Sequence, residues 1–310
     1  MEFVRVLLPF FTIGFLTAVT ARFTGTAISM LMLPSLLYMG ATPIEAVAFM
    51  LTFVLYNNFT QETQDVRLNR KEMTFFGGWK LVIPVAISVV AVPFFPAAAV
   101  GFFTLCFVME LAAALYKRLP ENKRPTPKAA AITIAGASVV TAAGVFLIPL
   151  IPADEYFLPA GSAILIMHAF ARYAGERREA FRGTWRSIWC GFYLFLGLFG
   201  IEASSYPRAL GRRFKTDNME SMFPIVTVFA ALVGMLTVFV VYGEFSIPAL
   251  IGAIGAAIGV RLFGVYRFSE NGSFSYTAIG MAFFAVLCLY LVSPDPVGFT
   301  ELKEVFRNAQ

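Results

Sequence analysis

Charge is scarce in this chain. Only 14% of its 310 residues are charged, against about a quarter in soluble domains. Histidine occurs once and cysteine three times. Cys106, Cys190 and Cys288 are far apart and each lies in an apolar run, which argues against disulfides, a zinc site or a CxxC redox pair. They read as small packing residues. There is no P-loop, no GxGxxG after a strand, no HExxH and no Cys/His metal spacing, so ATP-driven transport and metal-dependent catalysis lack support within the chain. No cofactor and no metal are expected. The net charge of +5 reads as charge on cytoplasmic loops, and no nucleic-acid partner is expected.

What the chain has in abundance is apolar residues, 58% of the total, with a mean hydropathy of +0.74. Apolar runs of membrane-spanning length recur throughout, a helix of about 20 residues being what crosses a hydrocarbon core of about 30 Å. The sequence therefore predicts an all-α polytopic membrane protein. The start MEFVRV has no cationic n-region and no clear small-x-small cleavage site, so it does not read as a cleaved signal.

Basic residues gather in DVRLNRKEM (65–73), KRLPENKRPTPK (117–128), ARYAGERREAFRGTWR (171–186) and PRALGRRFK (207–215). The positive-inside rule places these loops in the cytoplasm. The turns MGATP, PFFP, IPADEY and VYGEFS hold no Lys or Arg and are placed outside. Spans at roughly 42–58, 75–95, 96–117, 129–151, 156–173, 219–241, 247–267 and 274–293 follow, with both termini outside. The run SIWCGFYLFLGLFGIEA (187–203) has basic loops on both sides. It reads as a re-entrant hairpin entering from the cytoplasm and turning near FGIEASS, which is tolerated at membrane depth only where protein or a water-filled cavity surrounds it.

FTGTAIS (23–29) interrupts the first apolar run in the same way. Offsetting the chain by 175 residues pairs Gly25 with Gly200, Ser29 with Ser204, Glu45 with Glu220 and Thr52 with Thr227. The span after the first tip runs inward and its partner outward, so the halves are inverted. Inverted repeats with glycine-broken helices at matching positions point to a secondary transporter's site near the midplane. Half-helices starting at the tips would aim free N–H groups at the cavity, favouring an anion. Gly25 and Gly200 would allow close approach, and Thr24, Thr26, Ser204 and Ser205 offer hydroxyls. The alternative for these small polar residues is close helix packing.

GFLTAVTARFTGTAISMLMLPSLLYMGATPIEAVAF (14–49), with GLFGIEA (197–203) as a second copy and IPALIGAIGAAIGVRLF (247–263) as a glycine-rich helix after it, resembles the TauE/SafE family of sulfite and organosulfonate exporters. The topology read above amounts to ten membrane elements, eight spans and two hairpins, and the resemblance implies a bacterial-type inner membrane. It also implies export of a small sulfur oxyanion, sulfite or a short organosulfonate such as sulfoacetate. The first turn is poorer in glycine than is usual in the family, Glu202 stands where a small residue is common, and the spans within 129–173 are extra.

The expected divisions are a first repeat at 1–117, a loop with two connecting spans at 118–186, a second repeat at 187–293 and a tail at 294–310. The expected substrate site is Arg22, Thr24, Gly25, Thr26, Ala27, Gly200, Glu202, Ser204 and Ser205. Glu202 and His168 are candidates for proton coupling. Each has a plain alternative: an interfacial anchor for Arg22, a paired carboxylate at the hairpin mouth for Glu202, a packed core histidine for His168. Glu110 is the other deep acid, and Asn57, Asn58, Thr60 and Gln61 are expected at the cytoplasmic interface or vestibule. Competing functions are transport or channel conduction of another small anion or carboxylate, and an intramembrane lipid-modifying enzyme. The enzyme lacks a convincing nucleophile and base.

Overall fold

A computed structural model describes residues 2–24, 28–38, 40–62, 78–91, 93–119, 121, 124–153, 156, 159–163, 166, 185–201 and 222–263. Among the described residues there are helices and turns but no strand. The helices are α1 (Glu2–Thr24), α2 (Ile28–Tyr38), α3 (Pro43–Glu62), α4 (Gly78–Ala91), α5 (Pro96–Arg118), α6 (Pro127–Leu147), α7 (Trp185–Phe199), α8 (Phe223–Tyr242) and α9 (Ile247–Phe263). A 3-10 turn, Ile148–Leu150, extends α6.

Among the described residues two helical stretches are long and apolar enough to cross a membrane, the 24-residue Pro127–Leu150 and the 19-residue Pro224–Tyr242. The outside of the bundle carries the same chemistry. Ile83, Val89 and Val90 on α4, Val139 on α6, Val240 on α8 and Leu262 on α9 are all exposed. Exposed apolar surface this widespread is unlike a soluble monomer's.

Local chemistry sets the helix ends. Gly40, with φ 82°, closes α2: its N–H donates to Leu37 O at 2.9 Å and that of Ala41 to Leu36 O at 3.1 Å, the paired bonds of a Schellman stop. Thr42 and Glu45 then open α3 as a capping box. The Thr42 N–H donates to Glu45 Oε2 at 2.7 Å, and the Glu45 N–H to Thr42 Oγ1 at 3.3 Å. Thr126 accepts from the Ala129 N–H at 3.3 Å to start α6, with Pro127 at its first position. In the basic loop before it, Arg124 donates to the carbonyls of Leu119 (3.0 Å) and Lys117 (3.1 Å) at the end of α5. It lies 5.8 Å from the Tyr116 ring centroid.

The centre of the bundle is α3, in which every residue from Ala46 to Leu55 is buried. A helix apolar all round is a core helix. Glycine brings its neighbours close. A Cβ at Gly14 would lie 1.9 Å from Gly252 O, one at Gly255 2.2 Å from Phe11 O and one at Gly259 3.0 Å from Ala18 Cβ. Taken with their second contacts, Gly252 with Phe10 O at 3.6 Å, Gly255 with Phe15 N at 3.1 Å and Gly259 with Phe15 O at 3.1 Å, the partners move from residues 10 and 14 through 11 and 15 to 15 and 18, so the two helices run parallel. A second glycine crossing joins α6 and α7, where a Cβ at Gly197 would lie 1.9 Å from Thr141 O and one at Gly144 2.6 Å from Leu194 O. Small residues at crossings are how apolar helices pack closely without a hydrophobic driving force.

Candidate functional site

At 1.5 Å per residue, the 15 residues of α7 reach about 22 Å and the 11 residues of α2 about 16 Å. Both fall short of a hydrocarbon core of about 30 Å. Gly200 ends α7 with φ 65°, its N–H donating to Leu196 O at 2.8 Å. Left-handed backbone suits glycine because a side chain there crowds the carbonyl that follows. Here the surroundings impose a second condition, since a Cβ at Gly200 would lie 2.2 Å from Met50 Cβ. The end of α7 is thus seated against the middle third of α3, and Ile201 beyond it is fully buried.

The break at Gly200 presents the C-terminal end of a helix, whose last carbonyls have no partners within the helix. Tyr156, wholly buried, covers one of them: its hydroxyl donates to the Leu198 carbonyl, and its ring lies 5.3 Å from that of Phe199. Tyr156 was not among the residues expected at the site. From the sequence it is one residue of the turn IPADEY, and nothing in its spacing shows that the turn folds back against α7.

At the first tip α1 likewise ends, with Arg22 and Thr24 in its last turn, and α2 starts at Ile28, so a helix N-terminus, the end that favours negative charge, follows the tip. The half-helix expected to start after Gly200 lies outside the described residues. Ser29, next to the first break, is fully buried. Gly25, Thr26 and Ala27 lie outside the described residues, as do Glu202, Ser204, Ser205 and His168.

Below the second break a layer of polar groups links the core helices. The Tyr193 hydroxyl of α7 and Thr227 Oγ1 of α8 are 2.9 Å apart, both buried. Thr141 of α6 donates to Ala137 O at 2.9 Å and approaches Tyr193 O at 3.2 Å. Tyr56 of α3 and Thr104 of α5 are 3.2 Å apart. Asn57 departs from expectation: placed at the interface or vestibule by its polar neighbours, it is 0% exposed. Among the described residues its Oδ1 and Nδ2 have no hydrogen-bond partner. An orphaned buried polar group costs about 1–3 kcal/mol.

Of the four residue pairs in the internal alignment, Thr52 and Thr227 are the pair with both members described, and both are buried. Thr52 bonds back to Ala48 O at 2.9 Å, whereas Thr227 reaches across to Tyr193. Glu45 owes its place to the capping box at the start of α3, a role any helix start can ask of a glutamate. Cys106 is free and half-buried. Among the described residues no group of His, Cys, Asp and Glu is arranged to hold a metal ion.

Comparison with protein-family models, with curated proteins and with solved structures gives no match.

Proposed function

We propose that the chain is a polytopic membrane protein and a secondary transporter that exports a small sulfur oxyanion, sulfite or a short organosulfonate, by alternating access around the two helix breaks. The observation that carries this reading is the seating of Gly200. A helix too short to cross the core ends in left-handed backbone against the middle of the most deeply buried helix. Broken helices buried in protein at membrane depth are characteristic of transporter sites.

The N-terminus of α2 at the first break supports an anionic substrate. The resemblance of residues 14–49 to the sulfite and organosulfonate exporters supports the substrate class. In this reading Thr24, Gly25, Thr26 and Ala27 meet the substrate from one side and Gly200, Glu202, Ser204 and Ser205 from the other, with Arg22 supplying fixed positive charge. Glu202 carries a coupled proton. The parallel course of α1 and α9 supports a topology in which both descend from the same face.

Counterflow in proteoliposomes tests the proposal. Vesicles preloaded with unlabelled sulfite or sulfoacetate are expected to accumulate labelled sulfite, and vesicles preloaded with phosphate or succinate are not. Accumulation with succinate alone moves the substrate to the carboxylates, and conductance far above carrier turnover makes the protein a channel.

A further inference from the structure

On two helices the exposed apolar surface ends in lysine, and at the same connection. Along α5, Leu105, Met109, Ala113 and Lys117 follow one another every four residues and all are exposed, so they share one face of the helix. Along α6, Lys128, Ile132, Ala135 and Val139 recur at helical spacing and are exposed likewise. Each stripe is apolar along its length and cationic where the chain passes from one helix to the other.

That connection is held in place. Arg124 lies across the end of α5, donating to the carbonyls of Leu119 at 3.0 Å and Lys117 at 3.1 Å, with its guanidinium carbon 5.8 Å from the Tyr116 ring centroid. Tyr116 and Leu119 in turn pack against the core. Thr126 then caps α6, so both lysines stand on fixed helix turns. Residues 117–128 carry five basic residues and a single acid, Glu121, and that acid faces Arg124 at 3.8 Å. Neither lysine side chain has a hydrogen bond or ion pair among the described residues.

A cation at Lys117 suits the C-terminal end of α5. Lys128 stands in the first turn of α6, where the helix dipole disfavours positive charge, and that turn holds no acid. Helix stability therefore accounts for one lysine and not for the other, whereas an anion outside the protein accounts for both.

We infer that Lys117 and Lys128, braced by Arg124, form a binding surface for an anionic phospholipid. The lysines take the headgroup phosphate and the acyl chains lie along the two stripes. This rests on the polytopic-membrane part of the reading above and not on its substrate. A soluble phosphate would use the lysines and leave the stripes bare, so the apolar continuation of each lysine favours a lipid. The positive-inside rule puts this connection in the cytoplasm, and the anionic lipids of the cytoplasmic leaflet attract basic segments next to a span. Arg124, its N–H groups engaged by carbonyls, is a positioning residue.

The test is thermal unfolding of the full chain in a neutral detergent while phosphatidylglycerol, phosphatidylcholine or glycerol 1-phosphate is added. Phosphatidylglycerol is expected to stabilise wild type at a lower mole fraction than phosphatidylcholine, and about 1 M salt to erase the difference. Lys117→Gln/Lys128→Gln is expected to need about 25-fold more phosphatidylglycerol, each lysine near a charged surface being worth about fivefold. Its response to phosphatidylcholine should match that of wild type. Arg124→Gln is expected to weaken the preference for phosphatidylglycerol with both lysines still present; an unchanged preference would overturn the brace.

An equal response of wild type to the two lipids would overturn the site, as would a preference that survives the double substitution. Stabilisation by glycerol 1-phosphate equal to that by phosphatidylglycerol would overturn the lipid in favour of a soluble phosphate. If the double variant does not fold, Lys128→Gln makes the same comparison, a fivefold loss supporting the site and wild-type dependence overturning it. The membrane reading fails separately, if alkaline carbonate strips the chain from phosphatidylcholine vesicles.

Discussion

Gly200 and Met50 are in van der Waals contact through backbone and Cβ, and a Cβ added to Gly200 would fall 2.2 Å from the Cβ of Met50. Because the nearest atom is a Cβ and not the far end of a flexible side chain, the contact has little room to relax. Two penalties then act together on Gly200→Ala, about 1–2 kcal/mol for left-handed backbone and the displacement of α7 from α3. The variant is expected to melt lower and to transport more than tenfold more slowly, measured by unfolding in detergent and by counterflow. Met50→Ala retains the Cβ and is expected not to rescue it. Rescue would mean that the clash lies with the outer part of the Met50 side chain.

Tyr156→Phe keeps the ring against Phe199 and removes only the hydroxyl. The Leu198 carbonyl is then left buried without its donor, an expected loss of about 1–3 kcal/mol. Hydrogen exchange is expected to quicken at the Gly200 amide, which closes the same turn, while the amides of α9 hold their protection. Equal quickening in α9 would show that Tyr156 supports the whole bundle and not the break.

Thr26→Val and Ser204→Ala remove one hydroxyl from each break without adding bulk, and each is expected to slow sulfite counterflow while folded protein remains in the membrane. Glu202→Gln is expected to flatten the pH profile of transport, because the coupled proton would have no site. Wild-type rates in both hydroxyl variants would remove the breaks from the substrate path. An unaltered pH profile would return Glu202 to a structural role.

The sequence signals differ in what they convey. The end of α7 was legible at Gly200, because a glycine inside an apolar run is a local signal, and the apolar runs at 42–58 and 129–151 marked α3 and α6 to within a few residues of their starts at Pro43 and Pro127. Asn57 was expected at the cytoplasmic interface or vestibule because its neighbours Asn58, Thr60 and Gln61 are polar; its complete burial is a tertiary fact with no local trace. Tyr156 was missed on like grounds, as its partner lies 42 residues away. The segment 247–263 was read only as a glycine-rich helix; that its Gly252, Gly255 and Gly259 form a close crossing with α1 is likewise a long-range fact.

That crossing gives a test of the fold independent of any substrate. A Cβ at Gly14 would lie 1.9 Å from the Gly252 carbonyl oxygen, whereas one at Gly101 on α5 would meet nothing within 4 Å. Both glycines are in helix interiors, where alanine is intrinsically better by up to about 1 kcal/mol. Gly101→Ala should therefore leave the melting temperature unchanged or raise it. Gly14→Ala should lower it sharply, since backbone on α9 must move and the packing at Gly255 and Gly259 moves with it. Equal behaviour of the two variants would show that α1 does not pack on α9 through this face, and the parallel arrangement of the two helices would fall with it.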